Sequence, residues 1–243
     1  MEPDAESASW QAAYSITKWA ASAAAARGSC SFVLSGGDTP RRLFRLLAEE
    51  SDFRFRMPWD RTAVFWGDER AVPADHPDSN YRMAWEELLS CVPVRQENVH
   101  RWPTELPPAE AAAAYEETLR EVLRLAPGER PRLDVVLMGL GEDCHTASLF
   151  PGSSALAERR RLAVAAWVEK LGAWRLTLTV PVFNRARYLL FLVTGAEKAE
   201  ALRAARAPEG DPTLCPARLI RPEEDDLLWI ADRAAVAPPP AAG

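Results

Sequence analysis

Five short runs of apolar, β-branched and aromatic residues recur along the chain: CSFVLS (30–35), TAVFWG (62–67), LDVVLMG (133–139), YLLFLVT (188–194) and LLWIAD (227–232). Each has the length of a strand. None shows a sustained polar–apolar alternation, so each reads as a strand buried on both faces. Between them lie segments with helical character: the alanine-rich 9–27, the amphipathic RRLFRLLAEE (41–50), 78–92, the proline-opened 107–126, a short 181–187 and GAEKAEALRAA (195–205). Two further strands are expected at 161–169 and 174–180, the second alternating. Strands interleaved with helices dictate an α/β fold with a mainly parallel sheet covered by helices on both faces. The chain shows no internal repeat and no central linker. It is therefore expected to form a single domain over 1–243, with 233–243 as a frayed tail.

Composition narrows the function classes. The 243 residues are 48% hydrophobic and 26% charged, with a net charge of −6, which fits a globular protein able to bury a sizeable core. The acidic balance excludes a generally basic face for nucleic acid, so no nucleic-acid partner is expected. The run Arg159, Arg160, Arg161 reads as a solvated turn. Cys30, Cys91, Cys144 and Cys215 are scattered, with no C-x-x-C and no Cys/His cluster, so neither a disulfide framework nor a metal site is expected. The acidic opening MEPDAESASW lacks the apolar core of a signal peptide, and no run is long enough to span a membrane. A cytoplasmic protein with reduced thiols and no membrane partner is expected. Only three lysines are present, Lys18, Lys170 and Lys198, against abundant arginine.

In a parallel α/β sheet, ligands bind beyond the carboxyl ends of the strands. Four strands here run into unusual loops. Ser35-Gly36-Gly37-Asp38-Thr39-Pro40 opens a helix. Its glycines allow close backbone approach, Thr39 is a candidate N-cap with Pro40 at the first helical position, and the free N–H groups suit a phosphate. The same loop is also an ordinary capped βα turn. Gly67-Asp68-Glu69-Arg70 places three charges at a strand end, where Arg70 can grip an anion; the alternative is a surface ion pair. Gly139 to Thr146, GLGEDCHT, carries His145 at the mouth of the third run. An ordinary histidine titrates near 6.5 and can act as a base at neutral pH. Asp143 stands two residues away to orient it, and backbone N–H groups of 139–141 can meet an oxyanion. His76 and His100 lack that context and read as structural. Cys144 reads as a small buried hydrophobe rather than a nucleophile. Lys198, opening the helix after the fourth run, can reach a phosphate at the same sheet edge.

The segments SGGDTPRRLF, WGDERAVPADHPDSNYRMAWEELL, LDVVLMGLGEDCHTASLFPGS, RLTLTVPVFNRARYLLFLVTGAEKAEAL and LLWIAD, in this order, resemble the 6-phosphogluconolactonases of the glucosamine-6-phosphate isomerase/6-phosphogluconolactonase family. The resemblance runs from about Trp10 to Asp232. It implies the glucosamine-6-phosphate deaminase/ribose-5-phosphate isomerase-like fold, a Rossmann-like α/β domain. It also implies hydrolysis of 6-phospho-D-glucono-1,5-lactone to 6-phosphogluconate in the pentose phosphate pathway, without metal or cofactor. By resemblance His145 is the catalytic histidine. Asp68 and Arg70 match an Asp-Glu-Arg motif and Asn80 a Ser-Asn-Tyr segment. Gly36, Gly37 and Thr39 match the phosphate loop, and Lys198 a Gly-x-x-Lys-Ala helix start. Arg187 matches an arginine expected to hold phosphate. Two positions depart: Cys144 stands where the family usually has glycine, and Asp38 where it has serine. A positive φ would strain Cys144. Asp38 is expected to point away from a bound phosphate.

The expected site is thus His145, Asp143 and Asp68 as catalytic residues, with Gly36, Gly37, Thr39, Arg70, Asn80, Arg187 and Lys198 binding substrate. The partner is a small phosphosugar lactone, handled by a monomer or weak dimer. Two rivals remain. An amino-sugar phosphate deaminase or isomerase needs a carboxylate base where this chain has Ser148-Leu149-Phe150-Pro151. A noncatalytic phosphosugar sensor on this fold is expected to carry a DNA-binding helix-turn-helix, for which the short acidic N-terminus leaves no room.

Overall fold

The computed structural model describes residues 1–222 and 226–237. In chain order the strands are β1 (Cys30–Leu34), β2 (Thr62–Trp66), β3 (Asp68–Arg70), β4 (Val135–Met138), β5 (Ala163–Val168), β6 (Ala173–Leu178), β7 (Tyr188–Val193) and β8 (Asp226–Ala231). The α-helices are α1 (Ala5–Arg27), α2 (Asp38–Glu49), α3 (Ser51–Arg54), α4 (Asn80–Ala84), α5 (Pro108–Val122), α6 (Val180–Phe183), α7 (Ala199–Arg206) and α8 (Arg233–Val236). All five apolar runs form one parallel sheet in the order β2-β1-β4-β7-β8. Every residue of β1 and β4 is buried, so both faces of the sheet are covered. The fold is α/β with a mainly parallel central sheet, as the alternation dictates.

The helices form for local reasons. Asp4 caps α1 by accepting from the Ser7 N–H at 2.8 Å, and Gly28 ends it at φ 83°. α1 lies across β1, β4, β7 and β8 and packs on α2. α5 covers β5 and β6. Its Tyr115 stacks on Trp102 at 3.8 Å, and its hydroxyl donates to the Trp66 carbonyl at 3.2 Å, fastening α5 to the end of β2. The helix expected at 78–92 is α4, capped by the Ser79 hydroxyl and continuing as a wider π-turn over Trp85–Leu89.

Four expectations change. Asp68–Arg70 is a strand rather than a loop. The chain leaves the parallel sheet at Gly67, and β3 joins a second, antiparallel sheet of order β3-β6-β5. Helix α2 starts at Asp38 with Gly37 at φ 100° as its N-cap, so Thr39 and Pro40 sit inside the first turn. The tail is ordered further than expected: Arg233–Val236 form α8, capped where the Asp232 carboxylate accepts from the Ala235 N–H at 2.8 Å. Residues 238–243 lie outside those described. Finally, Cys144 and Cys215 are joined by a disulfide with Cα atoms 4.8 Å apart, 71 residues apart in sequence. Cys30 is buried and free, and Cys91 is exposed and free. No described helix is long and apolar enough to cross a membrane.

Candidate active site

Because the sheet is parallel, the segments following β1, β2, β4 and β7 emerge at one edge. They enclose a pocket of about 180 Å³. Gly36, Gly37, Thr39, Asp68, Arg70, Asn80, His145 and Lys198 all line it. Eight residues singled out from sequence therefore meet in one place.

The first wall is the amino end of α2. No side chain caps that helix, so its first-turn N–H groups are not taken up by a capping side chain and face the pocket with the positive end of the helix dipole. A side chain at Gly36 would run into the Asn80 amide, so the backbone comes this close only because residue 36 is glycine. The Thr39 hydroxyl lies 3.2 Å from the Thr194 hydroxyl, tying this loop to the one after β7. Lys198 enters from that loop, 4.0 Å from Glu142. Asp38 points outward, its side chain fully exposed and 3.5 Å from Arg41.

The second wall is the 139–147 loop. His145 Nδ1 is hydrogen-bonded to Asp143, whose other carboxylate oxygen accepts from Lys170. Burial alone would raise the Asp143 carboxyl. The hydrogen bonds from His145 and Lys170 outweigh it and hold the carboxyl well below the usual carboxylate range. The imidazole stacks on Phe150 at 4.1 Å between centroids. A side chain at Gly141 would collide with the imidazole. The Gly141 N–H donates to the His145 carbonyl at 2.8 Å and the Thr146 hydroxyl to the Gly139 carbonyl at 2.8 Å. The expectation that the Gly141 N–H serves an oxyanion is therefore corrected: it closes its own loop. Cys144 adopts φ 66°, the strained conformation anticipated for it.

The third wall is β3. The Asp68 carboxylate is buried, accepting from the Ser148 hydroxyl at 2.6 Å, with the Asn80 amide donating to the Asp68 carbonyl at 3.0 Å. Glu69 faces away and accepts from the backbone N–H groups of Arg70 at 2.8 Å, Asn80 at 2.7 Å and Tyr81 at 2.8 Å. Burial pushes its carboxyl up to about 7 despite those bonds. Arg70 pairs across the antiparallel ladder with Arg175, so two guanidinium groups share one face. Burial, together with the Arg70 charge, lowers the Arg175 pKa from its ordinary value.

Arg187 is corrected. It immediately precedes β7, so it stands at the amino edge of the sheet, opposite the pocket. There its Nε lies 3.3 Å from Asp134 as an ion pair without a hydrogen bond, while Asp134 accepts from Arg27 at 2.5 Å and from the Ser31 N–H at 2.8 Å. It is a structural counter-charge. Residues that sequence reasoning did not place at the site are Lys170, Ser148 and Arg175; Glu69, one of the three charges expected to orient Arg70 or touch sugar, instead gathers backbone N–H groups. The rarity of lysine was the one available signal for Lys170. His76 and His100 keep structural roles: the His76 Nδ1 accepts from the Asp78 N–H at 3.1 Å, and His100 stacks on Phe65 at 5.0 Å. The N–H groups of Arg159, Arg160 and Arg161 all donate to the Glu158 carboxylate, a solvated turn.

A family model described as glucosamine-6-phosphate isomerases/6-phosphogluconolactonase matches residues 3–229. A 6-phosphogluconolactonase of Synechocystis is 43% identical over 221 residues, 90% of this chain and 89% of that one. One from Nostoc is 45% identical over 210 residues, 86% and 84% of the two chains. The solved 6-phosphogluconolactonase of Trypanosoma cruzi superposes with a TM-score of 0.83 at 31% identity, covering 96% of this chain and 93% of that one.

Proposed function

Since the chain belongs to the glucosamine-6-phosphate isomerase/6-phosphogluconolactonase family, we propose that it hydrolyses 6-phospho-D-glucono-1,5-lactone to 6-phosphogluconate in the pentose phosphate pathway. The observation that carries this reading is His145, bonded from behind by Asp143, in one pocket with the amino end of α2. The phosphate binds the N–H groups at the start of α2, with Lys198 facing it and Arg70 at the rim. That anchors the lactone carbonyl near His145. Ionised Asp143 holds a proton on Nδ1, which leaves Nε2 as the acceptor. Nε2 takes a proton from water as the oxygen attacks C1. The tetrahedral intermediate collapses, the C1–ring oxygen bond breaks, and the His145 proton passes to the departing alkoxide. Asp68 holds Asn80 and Ser148 in place around the sugar and does not itself exchange protons. Lys170 keeps Asp143 ionised and aimed. The same reading makes the protein cytoplasmic, a monomer or weak dimer, acting on a small phosphosugar lactone without nucleic acid, metal or cofactor.

Isomerisation or deamination needs a carboxylate base beside C2. The two carboxylates lining the pocket are Asp38, which points to solvent, and Asp68, which is held by Ser148 and Asn80. The segment that would supply another is apolar here, with Leu149 and Phe150 buried. Incubation with the lactone and, separately, with glucosamine 6-phosphate decides between the two. Hydrolysis above the spontaneous rate with no ammonia release is expected; ammonia release without hydrolysis overturns the reading.

A further inference from the structure

The Cys144–Cys215 disulfide lies against the candidate catalytic residues, between Asp143 and His145 in sequence. Cys144 occupies φ 66°, a conformation that a side chain disfavours unless something holds it there. Three bonds hold Cys144 itself. The Cys144 N–H donates to Gly141 at 3.0 Å, the Ala217 N–H donates to the Cys144 carbonyl at 3.1 Å, and the disulfide ties Cys144 to Cys215. Two of the three join the loop to the 215–217 segment, 71 residues further on. A surface cavity of about 330 Å³, lined by Cys144, Cys215, Asp143, Leu214 and Arg218, opens over the bridge. Leu214 beside it is largely exposed. Cys144 and Cys215 are themselves buried, 5% and 6% exposed, and this cavity is the approach for a small thiol or disulfide. In a reducing compartment such a bond is rare and, where found, is mostly transient and redox-sensing.

We propose that Cys144 and Cys215 are a reversible redox pair: the disulfide locks the 141–145 loop with His145 in its working position, and reduction releases it and slows turnover. The proposal rests on the lactonase reading above. In oxidation the Cys215 thiolate attacks a sulfur of an external disulfide and expels one thiolate. The Cys144 thiolate then attacks the Cys215 sulfur and expels the second. The pair loses two electrons and two protons, and the external disulfide becomes two thiols. Reduction is the reverse. The N–H groups that hold the phosphate open α2, on a different loop from either cysteine, so the effect falls on kcat more than on KM.

The test compares wild type, Cys215→Ser and Cys91→Ser, each oxidised with oxidised dithiothreitol or reduced with dithiothreitol and freed of reagent before assay. Reduction of wild type and Cys91→Ser is expected to lower kcat roughly tenfold, with KM changed less than about twofold. Cys215→Ser should sit at the reduced level and ignore the treatment. Equal kcat in both wild-type forms, or a Cys215→Ser that still responds, overturns the proposal. Amide exchange over 141–147 on the same samples separates the two readings. Faster exchange on reduction, with no hydrolysis in either form, removes the lactonase reading and keeps the redox lock. Unchanged exchange with no hydrolysis removes both.

Discussion

At the residue scale, Glu69 shows how a group away from the reacting atoms shapes the pocket. Its buried carboxylate gathers the N–H groups of Arg70, Asn80 and Tyr81, and so sets where Asn80 stands. Burial raises its pKa from an ordinary 4.5 to about 7. The folded state therefore holds this proton more tightly than the unfolded chain does. Stability from this group is full below pH 4.5, falls as pH rises to about 7, and is level above that. The difference corresponds to roughly 3 kcal/mol. Asp143 has the opposite sign: its lowered pKa gives stability above the ordinary carboxylate range that is lost only in acid. Denaturation midpoints of wild type should thus fall between pH 5 and pH 8, and Glu69→Gln should flatten that slope. An equal slope in the variant would remove Glu69 as its source.

At the element scale, most of the layout was legible because each parallel strand is a continuous apolar run and each ends in glycine or charge. The four loops could be placed together since parallel strands share one carboxyl edge. Arg187 was assigned to phosphate by resemblance alone; one residue before Tyr188, it stands at the amino end of its strand, the edge opposite the pocket. Lys170 and Arg175 were missed because the β5–β6 hairpin approaches from a second sheet, built by β3, whose three residues read as a loop. The Cys144–Cys215 pairing was invisible for the same kind of reason: 71 residues separate them and no spacing links them. Two substitutions separate the edges. Lys198→Ala should raise KM on the order of tenfold, the loss of one charge-assisted contact to phosphate. Arg187→Ala should leave kcat and KM unchanged and lower stability by about 1 kcal/mol, since Asp134 keeps Arg27. Steady-state kinetics on both, with a denaturation curve for Arg187→Ala, checks this; a raised KM in Arg187→Ala would contradict the assignment of edges.

At the scale of the whole molecule, the parallel sheet brings the uncapped start of α2 and the His145 loop to one edge. The antiparallel sheet folds Lys170 onto Asp143 and sets Arg175 beside Arg70. Fold and chemistry are joined because neither sheet alone completes the pocket. The central claim is that His145, aimed by Asp143, activates the water. The measurement that tests it most directly is enzymatic hydrolysis of freshly made 6-phospho-D-glucono-1,5-lactone by wild type and His145→Ala, corrected for the spontaneous rate. The account predicts a kcat lower by about 10²–10⁴-fold in the variant with KM nearly unchanged. A His145→Ala protein that turns over at the wild-type rate would contradict it.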